Sequence, residues 1–267
     1  MAAGTKAVKK TAITTFKSNT ISCIIAGLIL VFSYFCCVLT STLFSFANLG
    51  FLDFFFKYIL IFLLIFPLFM GLLRYNWRII FNVKDDCISV FHYFSEKSLY
   101  FKCLKLELIL IIKAFSRSII FFLPALFVKL FSQKFFYDFF NIRMPVWAGN
   151  LGPIYSGLLT FGFVILIFMM LKYYLTPMLL VADENIEIEE AIHMSDIISK
   201  KSVIDFIFLC CSFLLWYFAS FLIFPLIFTL PYMILSYLYH CRFAIAEYNS
   251  DIKILNNREN QFFTEGI

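Results

Sequence analysis

"ADENIEIEEAIHMSDIISKK", residues 182–201, is the stretch on which the reading of this chain turns. It holds six acids (Asp183, Glu184, Glu187, Glu189, Glu190 and Asp196) and one of the three histidines, His193, yet long apolar runs flank it on both sides. Wound as a helix, it puts Ile188, Ala191, Ile192, Ser195 and Ile198 on one face, at spacings of three and four. Glu189, His193, Asp196 and Lys200 fall on the other face. Glu189 with His193, and Asp196 with Lys200, stand four apart and are expected to pair, at ~0.2–0.5 kcal/mol each. Asn185 is the expected N-cap, with the acids after it suiting the positive end of the helix dipole. Residues 187–201 are thus expected to form an amphipathic cytoplasmic helix joining two membrane spans, its apolar face on lipid or under the bundle.

The composition agrees with that reading. The chain has 267 residues, 62% of them hydrophobic and 38 of them Phe, with a mean hydropathy of +0.90. A soluble domain is roughly 45–50% apolar, so this much apolar surface needs lipid as its solvent. Lys6, Lys9, Lys10 and Lys17 precede the first apolar run without an accompanying acid. That bias reads as positive-inside topology rather than as a nucleic-acid surface. None of the eight cysteines lies in a predicted external loop and no C-x-x-C occurs, so neither a disulfide framework nor a structural metal site is expected. The first apolar run, 21–46, is far longer than the ~7–15 residues of a signal-peptide core and is expected to stay as a span.

A spanning helix needs ~20 mostly apolar residues. The candidates are 21–43, 54–73, 106–131, 155–179, 203–222 and 229–247. Residues 1–20 form a basic cytoplasmic N-terminus and 248–267 a polar cytoplasmic tail. The polar-aromatic segment 82–104 is expected on the membrane surface. In it Asp85 or Asp86 caps a short helix with Ile88 and Phe91 on one side. Residues 132–153 form an external stretch with Trp147 as an interface anchor. A turn is expected near 223–228, since Pro225 and Pro231 oppose one continuous helix. With this layout sixteen Lys and Arg fall on the inner side and four on the outer. The expected fold is therefore all-α, a polytopic membrane helix bundle of about six transmembrane helices with amphipathic cytoplasmic helices. Both termini are expected in the cytoplasm of a bacterial cell, with the body of the protein in its plasma membrane.

Further motifs bear a family resemblance. "YYLTPMLLVADEN" is followed by Glu190-Ala191-Ile192, Ser195, Ser212-Phe213, Trp216 and Pro231-Tyr232, while "VFHYF" and "FFLPA" stand upstream. In this order they resemble the uncharacterised bacterial multi-pass family catalogued as domain of unknown function 975, over roughly residues 71–247. The chain differs from that pattern in having no proline after Asn185, Ser199-Lys200-Lys201 in place of Met-x-Gly, Ala125 in place of Gly, and a longer 124–173 stretch. The resemblance implies a multi-pass membrane fold in which Glu190, Ile192, Ser195, Trp216, Pro231 and Tyr232 are structural or docking positions. It implies no activity.

Chemistry is sparse. Arg117 lies ~16 Å into the third candidate span, Lys113 one turn earlier on the same face, and Glu107 within about 80° of it. Charges at such depth suggest an anion or lipid-headgroup site; the alternative is that Lys113 snorkels or pairs with Glu107. The three histidines have no spacing suited to zinc or haem. Catalytic triads, P-loops and dinucleotide fingerprints are absent from the sequence. No cofactor and no enzymatic activity are expected. Two classes of function stay open. One is an organising or accessory membrane protein whose partners are the bilayer and other membrane proteins. The other is a transporter or permease subunit acting on a small anionic or lipid-like substrate. Glu190-Ala191 loosely resembles the helix by which permeases dock on an ATPase, without its downstream Gly.

Overall fold

A computed structural model describes residues 4–47, 50–83, 85–130, 152–219 and 223–265. Regular structure among them is entirely helical. Helix α1 (Thr5–Ser18) ends at Asn19, and α2 (Thr20–Phe46) follows at once. Short α3 (Gly50–Phe54) continues through a π-turn, Phe55–Leu60, into α4 (Ile61–Ile80). A 3₁₀ turn, Cys87–Phe91, leads into α5 (His92–Ser95) and then long α6 (Lys97–Leu130). Beyond these come α7 (Gly152–Met170), α8 (Thr176–Ala182), α9 (Ile188–Cys211), α10 (Leu214–Ala219) and α11 (Ile223–Glu265).

The chain divides into two units, Met1–Leu106 with Leu175–Ile267, and Glu107–Tyr174. In the first, α1 lies on α11, α2 packs on α4 and α11, and α9 packs on α8 and α11. The N-terminal segment is thus a docked helix: Val8 and Ala12 are buried, and Thr15 Oγ1 sits 2.6 Å from the Tyr239 hydroxyl. Ser41 at the far end of α2 donates to Asp53 of α3 at 2.5 Å, tying the hairpin. Helix α4 supplies the deepest core residues, among them Leu68, Met70, Leu72, Leu73 and Tyr75. It lies so close to the 3₁₀ turn that a Cβ on Gly71 would come within 1.8 Å of the Val90 carbonyl oxygen. Only glycine admits that approach. Helix α4 ends in a Schellman motif, with the Asn82 amide on Ile79 O and the Val83 amide on Arg78 O. Asn82 takes the left-handed conformation this requires, φ 57°.

In the second unit, Gly162 of α7 faces Phe122 of α6, where a Cβ would meet the ring at 2.8 Å. Phe122 and Phe163 make an edge contact with centroids 5.4 Å apart.

Among the described residues three helices are long and apolar enough to cross a membrane: Thr20–Phe46, Gly50–Ile80 and Gly152–Ala182. Of the last one's most apolar stretch only 6% is buried within the protein. On α2, Phe46 is 82% exposed and Phe32 67%. Large apolar side chains on the outside of long helices fit a surrounding of lipid rather than water.

Several expectations are corrected. Glu187, not Asn185, precedes the acidic helix, in extended conformation and without a side-chain cap bond. Asp183 Oδ1 accepts the Asn185 amide at 2.9 Å, and this turn holds the chain out of helix there. The amphipathic helix does not stop near Lys201 but runs unbroken to Cys211, since nothing between Ile188 and Cys211 breaks a helix. Asp196 and Lys200 approach to 3.9 Å, whereas no ion pair joins Glu189 to His193 among the described residues. Residues 97–104, expected in the surface segment, belong to α6. Residues 223–228 are the first turns of α11 rather than a turn between spans, because Pro225 sits where a helix start has no need of its amide. Pro231 is accommodated inside that helix. The external stretch 132–153 with Trp147 lies almost wholly outside the described residues.

Candidate functional site

The best-organised polar cluster lies around the acidic loop that opens the decisive stretch. The loop between α8 and α9 brings Glu184 to Arg74, six residues before the end of α4. Arg74 Nε donates to Glu184 Oε1 at 2.7 Å. His92 Nε2, at the start of α5, lies 3.2 Å from the same oxygen without the alignment of a hydrogen bond. Lys102, two turns into α6, donates to Glu184 O at 2.5 Å and Ile186 O at 2.7 Å. One turn further along α4, Arg78 Nη1 pairs with Asp85 Oδ2 at 2.8 Å.

Four segments distant in sequence are thereby pinned together. Lys102 matters most to the backbone: its ammonium takes up two loop carbonyls that no helix satisfies, and hydrogen bonds from charged donors contribute about 1.5–3 kcal/mol. Beside the cluster, Tyr93 is buried, and its hydroxyl has no partner among the described residues. Burial pushes its pKa up. The adjoining cavity, bounded by Met70, Tyr93, Lys102, Cys103 and Glu184, measures ≈ 10 Å³, room for about one water. Among the described residues no group of three His, Cys, Asp or Glu could hold a metal ion.

The residues singled out from sequence are placed elsewhere. Glu107, Lys113 and Arg117 all lie on α6 within the second unit. Arg117 is exposed, with its guanidinium 5.5 Å from the centre of the Tyr173 ring. Lys113 is half-buried, and one Glu107 carboxylate oxygen is buried without a hydrogen-bond partner among the described residues. No ion pair joins Glu107 to either cation there. On α9, Ile192 is 3% exposed and Ser195 fully buried, while Glu190 faces outward. Trp216 is 46% exposed. Pro231 lies against Gly27 at 3.4 Å, and Tyr232 meets Phe213 edge-on at 5.3 Å.

Sequence reading passed over Arg74, His92, Lys102 and Glu184 as a set. Arg74 served only to end the second span and, with Lys102, to weight the topological charge bias, and Glu184 was only one of the six acids of its stretch. The available signal was an acidic pair, Asp183-Glu184, stranded beside an apolar run. Its partners, 110 and 82 residues away, follow no spacing rule.

No protein-family model, no curated protein and no solved structure matches this chain.

Proposed function

We propose that this chain is a non-enzymatic organising or accessory protein of the bacterial plasma membrane. It crosses the bilayer with about six helices and keeps both termini in the cytoplasm. The resemblance to the multi-pass family supports that layout, as does the sixteen-to-four distribution of Lys and Arg. The observation that carries the functional reading is that its most elaborate polar cluster is closed. Arg74 and His92 are held by Glu184, Lys102 is held by two carbonyls, and the cavity beside them takes about one water. Such a cluster clamps segments together; it has no room for a substrate. The outward face of α9, with Glu189, Glu190 and His193 exposed, is the surface offered to a partner protein.

Photo-crosslinking amino acids at Glu190 and His193 are expected to give discrete protein adducts in native membranes, and none from Ile192. The purified chain in proteoliposomes is expected to leave anion uptake at background. A second reading, a transporter or permease subunit that moves an anionic or lipid-like substrate and works with an ATPase, has its support in exposed Arg117 and half-buried Lys113 on α6. Saturable phosphate or lipid-anion uptake that Arg117→Ala abolishes would overturn the accessory reading in its favour.

A further inference from the structure

Away from the charged cluster, the first unit holds an apolar groove of ≈ 240 Å³. Its walls are Phe69 and Leu73 of α4, Leu209 of α9, Phe213 in the turn after α9, and Met233 and Ile234 of α11. Leu73, Leu209, Phe213 and Ile234 are all less than a tenth exposed, so the walls are set by packing. Helix α4 belongs to the continuous apolar helix Gly50–Ile80, which is long enough to cross a membrane. The groove therefore borders the region where acyl chains lie.

The rim carries a cation. Lys9 of α1 places its Nζ 4.2 Å from the centre of the Phe213 ring and donates to the Ser212 carbonyl at 3.0 Å. An ammonium has three donors, so the carbonyl leaves two for another acceptor. No carboxylate is paired with Lys9 among the described residues. Burial lowers its pKa, a penalty that an anion beside it would offset. The whole 1–20 segment, with Lys6, Lys9, Lys10 and Lys17, contains no acid, so α1 carries only positive side-chain charge.

An apolar slot with an under-satisfied ammonium at its lip matches one ligand chemistry. We propose that the groove binds an anionic phospholipid of the surrounding bilayer, one acyl chain lying between α4, α9 and α11 and the phosphate on Lys9. This proposal is independent of the accessory reading: a bound lipid would serve a scaffold and a transporter alike.

The test uses the full chain in nanodiscs, with a diazirine on the acyl chain of phosphatidylglycerol or phosphatidylcholine. Photolysis is expected to label the segment from Leu209 to Tyr217 with the anionic lipid about tenfold more than with the zwitterionic one. Lys9→Gln is expected to abolish that preference, whereas Lys10→Gln, an exposed lysine off the groove, is expected to keep it. Leu209→Trp, which fills the slot, is expected to remove labelling by both lipids. Equal labelling by the two lipids in the wild-type chain would overturn the proposal, and that comparison stands even if Lys9→Gln fails to fold. Preference retained in a folded Lys9→Gln would overturn it as well.

Discussion

Pro67 removes one amide hydrogen from the middle of α4, and the carbonyl four residues earlier, Leu63, loses its helical donor. Tyr100, 37 residues away on α6, donates its hydroxyl to that oxygen at 3.1 Å. A polar atom left bare by one residue is thus satisfied by another that only tertiary contact brings near. Tyr100→Phe is expected to lower stability by about 0.5–1.5 kcal/mol. In a Pro67→Ala background the helix regains its own donor, and the same substitution is expected to cost close to nothing. A double-mutant cycle of thermal unfolding in detergent checks this, and equal costs in both backgrounds would show that the hydroxyl does not serve Leu63. Gly71 is another residue on which local geometry depends, since any side chain there meets the Val90 carbonyl. Pro67 stands out in the sequence as a helix breaker within an apolar run. Nothing in the sequence distinguishes Gly71 from Gly27, whose Cβ would meet Pro231 at an ordinary 3.4 Å.

Helix α9 shows how much an element discloses by its own period. The face drawn from the 3.6-residue repeat is the face the structure buries, with Ile188, Ala191, Ile192, Ser195 and Ile198 each less than a tenth exposed. Ile192→Asp is expected to destabilise the protein by about 3–5 kcal/mol, because it buries an unpaired carboxylate in place of an apolar chain. His193→Asp, one residue on and solvent-facing, is expected to stay within about 0.5 kcal/mol. Melting temperatures of the two variants in the same detergent decide the matter, and equal shifts would mean a face without tertiary partners. Where the element begins was not legible. The usual N-cap preference favours Asn185, but Lys102 fixes Glu184 O and Ile186 O in the loop, and Asp183 turns the chain at Asn185. Its end was misjudged for a related reason: the polar-to-apolar change near Lys201 marks a change of surroundings, not a break in the backbone.

At the scale of the whole molecule the open quantity is topology. Among the described residues three helices have the length and apolarity to cross a membrane, and about six spans with both termini inside is the proposal. Single cysteines introduced into a chain lacking the native ones test it in intact cells. A cysteine at Asn141 is expected to react with an impermeant maleimide and one at Gln261 only after lysis. Reaction at Gln261 in intact cells would reverse the orientation or change the number of crossings. The charge count supports this arrangement because lysine and arginine resist translocation wherever they flank a short loop.

Hydrophobic content and helical period are properties of consecutive residues. The sequence by itself therefore determined that the chain is helical, that its apolar surface exceeds what a core of its size hides, and which side of the acidic helix is greasy. Pairings between residues far apart in the chain have no period and no fixed spacing. The Arg74–Glu184–His92 cluster, the anchoring of the loop by Lys102, the seat of α1 on α11 and the groove beneath Lys9 were decided only by tertiary structure. The physical reason is that a charge or an apolar wall acquires its meaning from what packs against it. For Lys102, Arg74 and Lys9 those neighbours lie more than eighty residues away in the chain.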